Sequence, residues 1–296
     1  MHKELYISMQ LLIHVVGAAA CTFIVVNRDP LFRSSNLIKY SKRICDVGVK
    51  RDLAGMKNSR SKKWKRIIPI CILVVLILGF LLYTGQYYHA EPSALPALES
   101  DPSVSVTKTD YGWLFDGPSK RDALIFYPGA KVEETAYAPL LHQLAEEGMD
   151  VCLVKMPFHL ALFGMNKADD LIAEYDYSRW FIGGHSLGGT MAANYASEHE
   201  AQLTGLVLLA AYPTKKLGDH LVVTSIYGSE DGVLNMEKLK EGEQYLPEDT
   251  VSQVILGGNH AQFGNYGEQN GDGNAAISAA QQQRQTVELI LEQCSS

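Results

Sequence analysis

Between Ala123 and Leu256 the sequence returns again and again to short apolar runs, each followed by a longer stretch of helical character. The runs are Ala123 to Tyr127, Asp150 to Lys155, Trp180 to Gly183, Leu206 to Ala210, Leu221 to Tyr227 and Val251 to Leu256. Helices are expected over Ala136 to Glu147, Lys167 to Tyr175, Gly189 to Glu198 and Met236 to Tyr245, with a closing one from Ala275 to Glu292. Continuous apolar runs suit strands buried on both faces, which a parallel sheet covered by helices provides. Upstream, Val104 to Lys108 alternates like an exposed strand, and Gly112 to Phe115 can pair with it through Thr109, Asp110 and Tyr111. The expected class is α/β, with a mostly parallel central sheet and helices on both faces. In such sheets reactive groups gather at the carboxyl ends of the strands.

One run ends in an unusual turn. Phe181 to Thr190 reads FIGGHSLGGT and sets Ser186 within Gly184-His185-Ser186-Leu187-Gly188, the G-x-S-x-G pattern of a nucleophile elbow. Glycines on either side let a serine occupy a sharp strand-to-helix turn with its hydroxyl held outward. The helix that follows presents its amino end and backbone NH groups to the serine, which favours negative charge there.

A serine hydroxyl needs a base to take its proton, and the base needs a third group to orient it. Leu221 to Tyr227 runs into Gly228-Ser229-Glu230-Asp231-Gly232, which puts Asp231 in a turn beyond a buried strand. Val251 to Leu256 runs into Gly257-Gly258-Asn259-His260, and His260 alone of the nine histidines lies downstream of Asp231. Read singly, Asp231 is also a plausible turn residue, Glu230 an alternative acid and His260 a solvated loop histidine. Their placement at successive strand ends favours a common site. His185 is expected to pack inside the elbow, pointing away from Ser186, and His142 and His199 to be solvated on helices.

Ser186, Asp231 and His260, in that order on alternating strands and helices, resemble the α/β-hydrolase superfamily. The resemblance covers about Ser103 to Glu292 and implies an eight-stranded sheet and ester-type hydrolysis. It places Gly129-Ala130 of Tyr127-Pro128-Gly129-Ala130-Lys131-Val132 at the family's oxyanion turn, with tyrosine-proline in place of the usual histidine. It implies that the Ala130 and Leu187 amides form the oxyanion hole. The compact layout is similar to the lidless dienelactone-hydrolase-like branch, with Ser186 where that branch's type member has cysteine. Only about ten residues separate the strand ending near Ala210 from the one starting at Leu221, too few for a long lid. Phe158 and Phe163, after the Asp150 to Lys155 strand, are candidates for substrate binding in an acyl pocket or for a buried aromatic cluster, and the glycine-rich Gly264 to Gly273 is expected to be a mobile loop gating the site.

Upstream of this domain, Ile67 to Tyr83 holds 17 residues without a charge, and the uncharged stretch continues to Tyr88. That is long enough to span a membrane. The basic Lys62-Lys63-Trp64-Lys65-Arg66 before it places the amino side in the cytoplasm and the rest of the chain outside. Leu5 to Val26 is a second uncharged run of spanning length, and residues 27 to 66 between the two carry 13 Lys/Arg against 3 Asp/Glu. Met56 followed by KNSRSKKWKR is itself a complete signal-anchor start, so residues 1–55 remain open as part of the natural protein. The expected organisation is an amino-terminal segment over 1–66 with a possible first span at 5–26, an anchor over 67–88, a proline-rich linker over 89–102 and a catalytic domain over 103–296. Residues 67–296 carry 12 basic against 29 acidic side chains, which argues against a nucleic-acid partner. The five scattered cysteines show neither a disulfide framework nor metal-ligand spacing. No cofactor or metal is expected.

These readings lead to a membrane-anchored serine hydrolase of carboxylic esters or thioesters, with its catalytic domain outside the cytoplasm and lipid contact through the anchor. A peptidase or acyltransferase would use the same three residues. A catalytically degenerate surface binding module is the reading from another class, and it gives no reason for all three to be present.

Overall fold

The computed structural model of the chain describes residues 49–119 and 121–294, with side chains from Trp64 onward. The chain divides into two compact units, one reaching Leu81 and one from Leu82. The possible first span at 5–26 lies outside the described residues. Among the described residues of the first unit one helix, α1, begins; it runs over Val49–Gly85 and includes the carboxyl part of the basic segment. Its stretch Trp64–Gly85 is long and apolar enough to cross a membrane. Twenty-two helical residues rise about 33 Å, against a hydrocarbon core of about 30 Å. The helix stops at Gly85, so Tyr87 and Tyr88 lie beyond it rather than inside an anchor ending at 88.

The second unit is built on the expected sheet. Its strands are β1 (Ser105–Lys108), β2 (Gly112–Asp116), β3 (Asp122–Tyr127), β4 (Asp150–Val154), β5 (Arg179–His185), β6 (Gly205–Leu209), β7 (Val222–Gly228) and β8 (Val251–Ile255). They lie in the order β1-β2-β4-β3-β5-β6-β7-β8. β1 and β2 form an antiparallel hairpin and β2 is antiparallel to β4; every other pairing is parallel. The central strands are apolar on both faces because helices cover both. Helices α2 (Ala138–Glu146) and α6 (Ala279–Cys294) supply Leu140, Leu141, Leu144, Val287 and Ile290 to one core. Helices α3 (Lys167–Glu174) and α4 (Leu187–Glu198) supply Ala168, Leu171, Ala192 and Tyr195 to the other. A short, mostly exposed α5 (Met236–Gly242) connects β7 to β8.

The end of α6 is fastened to the sheet. Arg179 forks onto Asp122 with two bonds of 2.7 Å and donates a third, of 2.8 Å, to the carbonyl of Cys294. That cysteine is buried, and burial pushes its thiol up to about 12.

The segment expected as a free linker over 89–102 is instead folded onto the hydrolase unit. Pro92–Leu98 forms a 3-10 helix with Ala94 fully buried, and Ala97 and Leu98 pack against the core that includes Leu140 and Leu144. Proline spacing suggested an extended spacer, but the small apolar residues between the prolines fill a groove beside α2. His142 is part of that attachment and is not solvated: its ring bonds the Ala97 carbonyl at 3.0 Å and the Asp101 carboxylate at 2.9 Å. The folded unit therefore starts well before Ser103. A fragment spanning 86–296 is expected to be more stable than one spanning 103–296 by roughly 3 kcal/mol, the scale of burying one or two apolar side chains. Urea denaturation of both fragments measures the difference, and equal midpoints would show that the segment contributes nothing.

Candidate active site

The turn at the end of β5 has the geometry that its sequence requires. Ser186 sits at φ 54° and ψ −124°, a left-handed conformation that costs a non-glycine residue about 1–3 kcal/mol. The close approach of β3 explains the neighbouring glycines. A Cβ on Gly184 would stand 2.4 Å from the Tyr127 carbonyl oxygen, and one on Gly188 would stand 2.1 Å from the same atom. α4 begins at Leu187, so the unpaired amides of its first turn follow the serine directly.

Asp231 and His260 are brought together from the ends of β7 and β8. The Asp231 Oδ2 to His260 Nδ1 distance is 2.8 Å, and the two side chains are 1% and 2% exposed. The other carboxylate oxygen, Oδ1, accepts the amides of Val233 and Leu234 at 2.9 and 2.8 Å, which fixes the orientation of the acid. Glu230 is exposed and accepts only a local bond from the Ser229 hydroxyl. An Nδ1–H donated to Asp231 leaves the Nε2 of His260 with its lone pair. That atom is buried and makes no hydrogen bond, to Ser186 or to any other described residue. Catalytic bonds of this kind are often long before substrate binds. The His260 ring lies 4.4 Å from the ring of His185, the residue before Ser186, which places it at the elbow.

His185 lies inside the elbow as a packing residue. It is 1% exposed, and burial, with a smaller contribution from nearby His260, holds its pKa well below the ordinary 6.5. Gly129 donates its amide to the Tyr137 hydroxyl at 3.0 Å, and that hydroxyl donates to His185 Nδ1 at 2.8 Å. The turn before Ala130 is thus tied to the residue before Ser186. The Ala130 amide makes no hydrogen bond among the described residues.

Two features were not visible in the sequence. Asp272 was concealed within a stretch read as a mobile gate, yet it is pinned against the loops of both Asp231 and His260. Its Oδ1 accepts the amides of Gly232 at 3.1 Å, His260 at 3.2 Å and Gly273 at 2.9 Å, and its Oδ2 accepts that of Ala261 at 2.8 Å. Gln282 of α6 adds a buried amide pair with Asn259, at 2.9 and 2.8 Å. An aspartate between glycines suggests a turn, and nothing local marks one that joins two distant loops.

Phe158 and Phe163 form neither a buried cluster nor an enclosed pocket. They meet edge to face at 5.7 Å while staying 47% and 50% exposed. The backbone is left-handed at Phe158 and His159, with φ of 56° and 54°. Phe163 borders an open cavity of about 430 Å³ shared with Met165 and Lys167. The loop Ala210 to Leu221 carries no helix or strand.

Residues 123–284, more than half the chain, match the alpha/beta hydrolase family. The chain belongs to that family. No curated protein matches this α/β hydrolase. Among solved structures it is similar to Est1E from Butyrivibrio proteoclasticus, at 13% identity and a TM-score of 0.47, over 66% of this chain and 100% of that one. It is also similar to a monoacylglycerol lipase from Paleococcus ferrophilus, at 14% identity and a TM-score of 0.49, over 64% and 99% of the two chains.

Keeping His185 neutral has a pH signature. Its folded-state pKa is lowered, so above about pH 6.5 both folded and unfolded states are neutral and the group is silent. As pH falls below that value the unfolded chain takes a proton that the folded one refuses, and stability declines. The urea midpoint of the hydrolase unit should drop between about pH 7.5 and pH 5, and His185→Gln should make that drop shallower. An unchanged slope in the variant would show that His185 is not the group responsible.

Proposed function

We propose that this α/β hydrolase is a carboxylesterase-like serine hydrolase, anchored in a membrane by Trp64–Gly85 with its catalytic unit outside the cytoplasm, and that it cleaves carboxylic esters or thioesters. The observation that carries the reading is the buried 2.8 Å Asp231–His260 pair beside the strained Ser186. In the first step His260 Nε2 takes the Ser186 proton as Oγ bonds to the acyl carbon, and the carbonyl electron pair moves onto oxygen. The amides of Ala130 and Leu187 receive that oxyanion. Asp231 holds the Nδ1–H tautomer and stabilises the imidazolium. When the oxyanion collapses, the bond to the alcohol or thiol breaks and the leaving group takes the proton from His260. Water then repeats the sequence on the acyl-enzyme, releasing the acid and restoring Ser186. Asp272 acts as a positioning residue, since it fixes the loops of acid and base against each other.

Ser186→Ala and His260→Ala should each lower kcat by several powers of ten, and combining them should cost little more because the two act as a unit. Asp231→Asn should cost somewhat less and Glu230→Gln should be mild. Steady-state hydrolysis of a p-nitrophenyl ester series measures these effects, with fluorophosphonate labelling at Ser186 as the direct check. A crippled Glu230→Gln beside a tolerated Asp231→Asn would reassign the acid. Full esterase activity in Ser186→Ala would remove the nucleophile.

The topology rests on the basic residues before the span. Protease added to intact cells should digest the hydrolase unit. Protection until lysis would place it on the cytoplasmic side.

A further inference from the structure

Several observations within the unit that starts at Leu82 converge on the loops that follow β3 and β4. Tyr87 and Tyr88 follow the last helical residue of the apolar stretch, Gly85, by two and three positions. Tyr88 is not free: its amide donates to the Lys131 carbonyl at 2.7 Å, and its carbonyl accepts the Glu133 amide at 2.8 Å, a parallel bridge to the loop that holds Gly129 and Ala130. Tyr83, in the last turn of the helix, lies under the Lys131 ammonium at 4.3 Å. Tyr87 stacks on the His159 ring at 3.9 Å, and the His159 carbonyl accepts the Lys131 amide at 2.7 Å. Residues 83–88, the loop after β3 and the loop after β4 are therefore knitted together within this unit. Two residues of chain reach at most roughly 7 Å, so Tyr87 lies that close to the end of the span.

The loop after β4 presents apolar side chains there. Phe158, Leu162 and Phe163 are 47%, 62% and 50% exposed, and the Ala161–Phe163 turn packs against α4, the helix that opens after Ser186. Exposed aromatic and leucine side chains lose free energy in water and gain it in the acyl region of a bilayer. Val254 and Leu256, on edge strand β8 and just after it, are as exposed but lie at the opposite edge of the strand order from the β1–β2 hairpin.

We infer that Phe158, Leu162 and Phe163 dip into the leaflet in which the chain is anchored, and that the substrates are acyl lipids of that leaflet, drawn from the bilayer to Ser186. This rests on the anchored serine hydrolase reading above and adds to it the source and class of the ester. The rim does not select the headgroup. It selects esters presented in a membrane over the same esters in solution.

The test uses the full chain reconstituted in phosphatidylcholine vesicles that contain a phosphatidylcholine with a photoactivatable diazirine in its acyl chain. After illumination, mass spectrometry should find label in peptides covering 158–163 at least about five-fold above those covering 254–256, alongside label in the span, as burial of one surface and solvation of the other require. Label in the span with none at 158–163, or equal label at 254–256, would overturn the inference while leaving the anchor intact. An unlabelled span would overturn both. Crosslinking of copies to each other through 158–163, without lipid label, would assign the patch to a second copy instead. In the same vesicles Leu162→Asp should slow hydrolysis of an embedded long-chain acylglycerol by about ten-fold or more and change dissolved p-nitrophenyl acetate turnover by less than about two-fold, since a charge in the acyl region is costly. Equal effects on both substrates would refute selection by the rim. Ser186→Ala keeps the two readings apart: persistent ester turnover in that variant defeats the hydrolase assignment, whatever the lipid label shows.

Discussion

The site depends on how closely two backbone segments approach. The Tyr127 carbonyl at the end of β3 lies beneath the turn that leaves β5, at a spacing that admits hydrogen and no methyl group at Gly184 or Gly188. This contact forces Ser186 into its left-handed conformation and starts α4 with its open amides behind the serine. Parallel pairing of β3 with β5 from Asp122 to Tyr127 holds the approach in register. The strain of one residue is thus offset by a ladder of ordinary sheet bonds and by two buried cores, which together far exceed about 1–3 kcal/mol.

Much of this was legible in the sequence because the interactions involved are local or periodic. Apolar runs buried on two faces announce a parallel sheet, and all eight strands fall where such runs or the β1–β2 alternation place them. G-x-S-x-G is a statement about a single turn and can be read without knowing what lies around it. Helix ends were less legible: α6 begins at Ala279, four residues after the expected Ala275, because the apolar spacing does not separate an approach loop from a first turn.

What the sequence did not disclose was long-range polar pairing. Asp272 with the amides of Gly232 and His260, Tyr137 between Gly129 and His185, and His142 on Asp101 all join residues whose relation is set only by the folded sheet. The misreading of residues 89–102 has the same origin. Prolines report the backbone they favour, whereas the groove that receives Ala94 is assembled from α2 and its neighbours. Phe158 and Phe163 were read as pocket or core because aromatic side chains usually are; both are about half exposed in a loop whose backbone is left-handed at Phe158 and His159.

The Asp272 clasp also bears on how a chain like this can change over generations. Between Asp231 and His260 lie α5, which is largely exposed, and β8, an edge strand with only part of its surface covered. Without a clasp, any insertion or drift in those elements would shift Asp231 relative to His260. With one carboxylate gripping the amides of both loops, their separation is set by a three-bond knot and not by the contour of the chain between them. A change of length or surface in α5 or β8 would then leave the spacing of Asp231 and His260 in place.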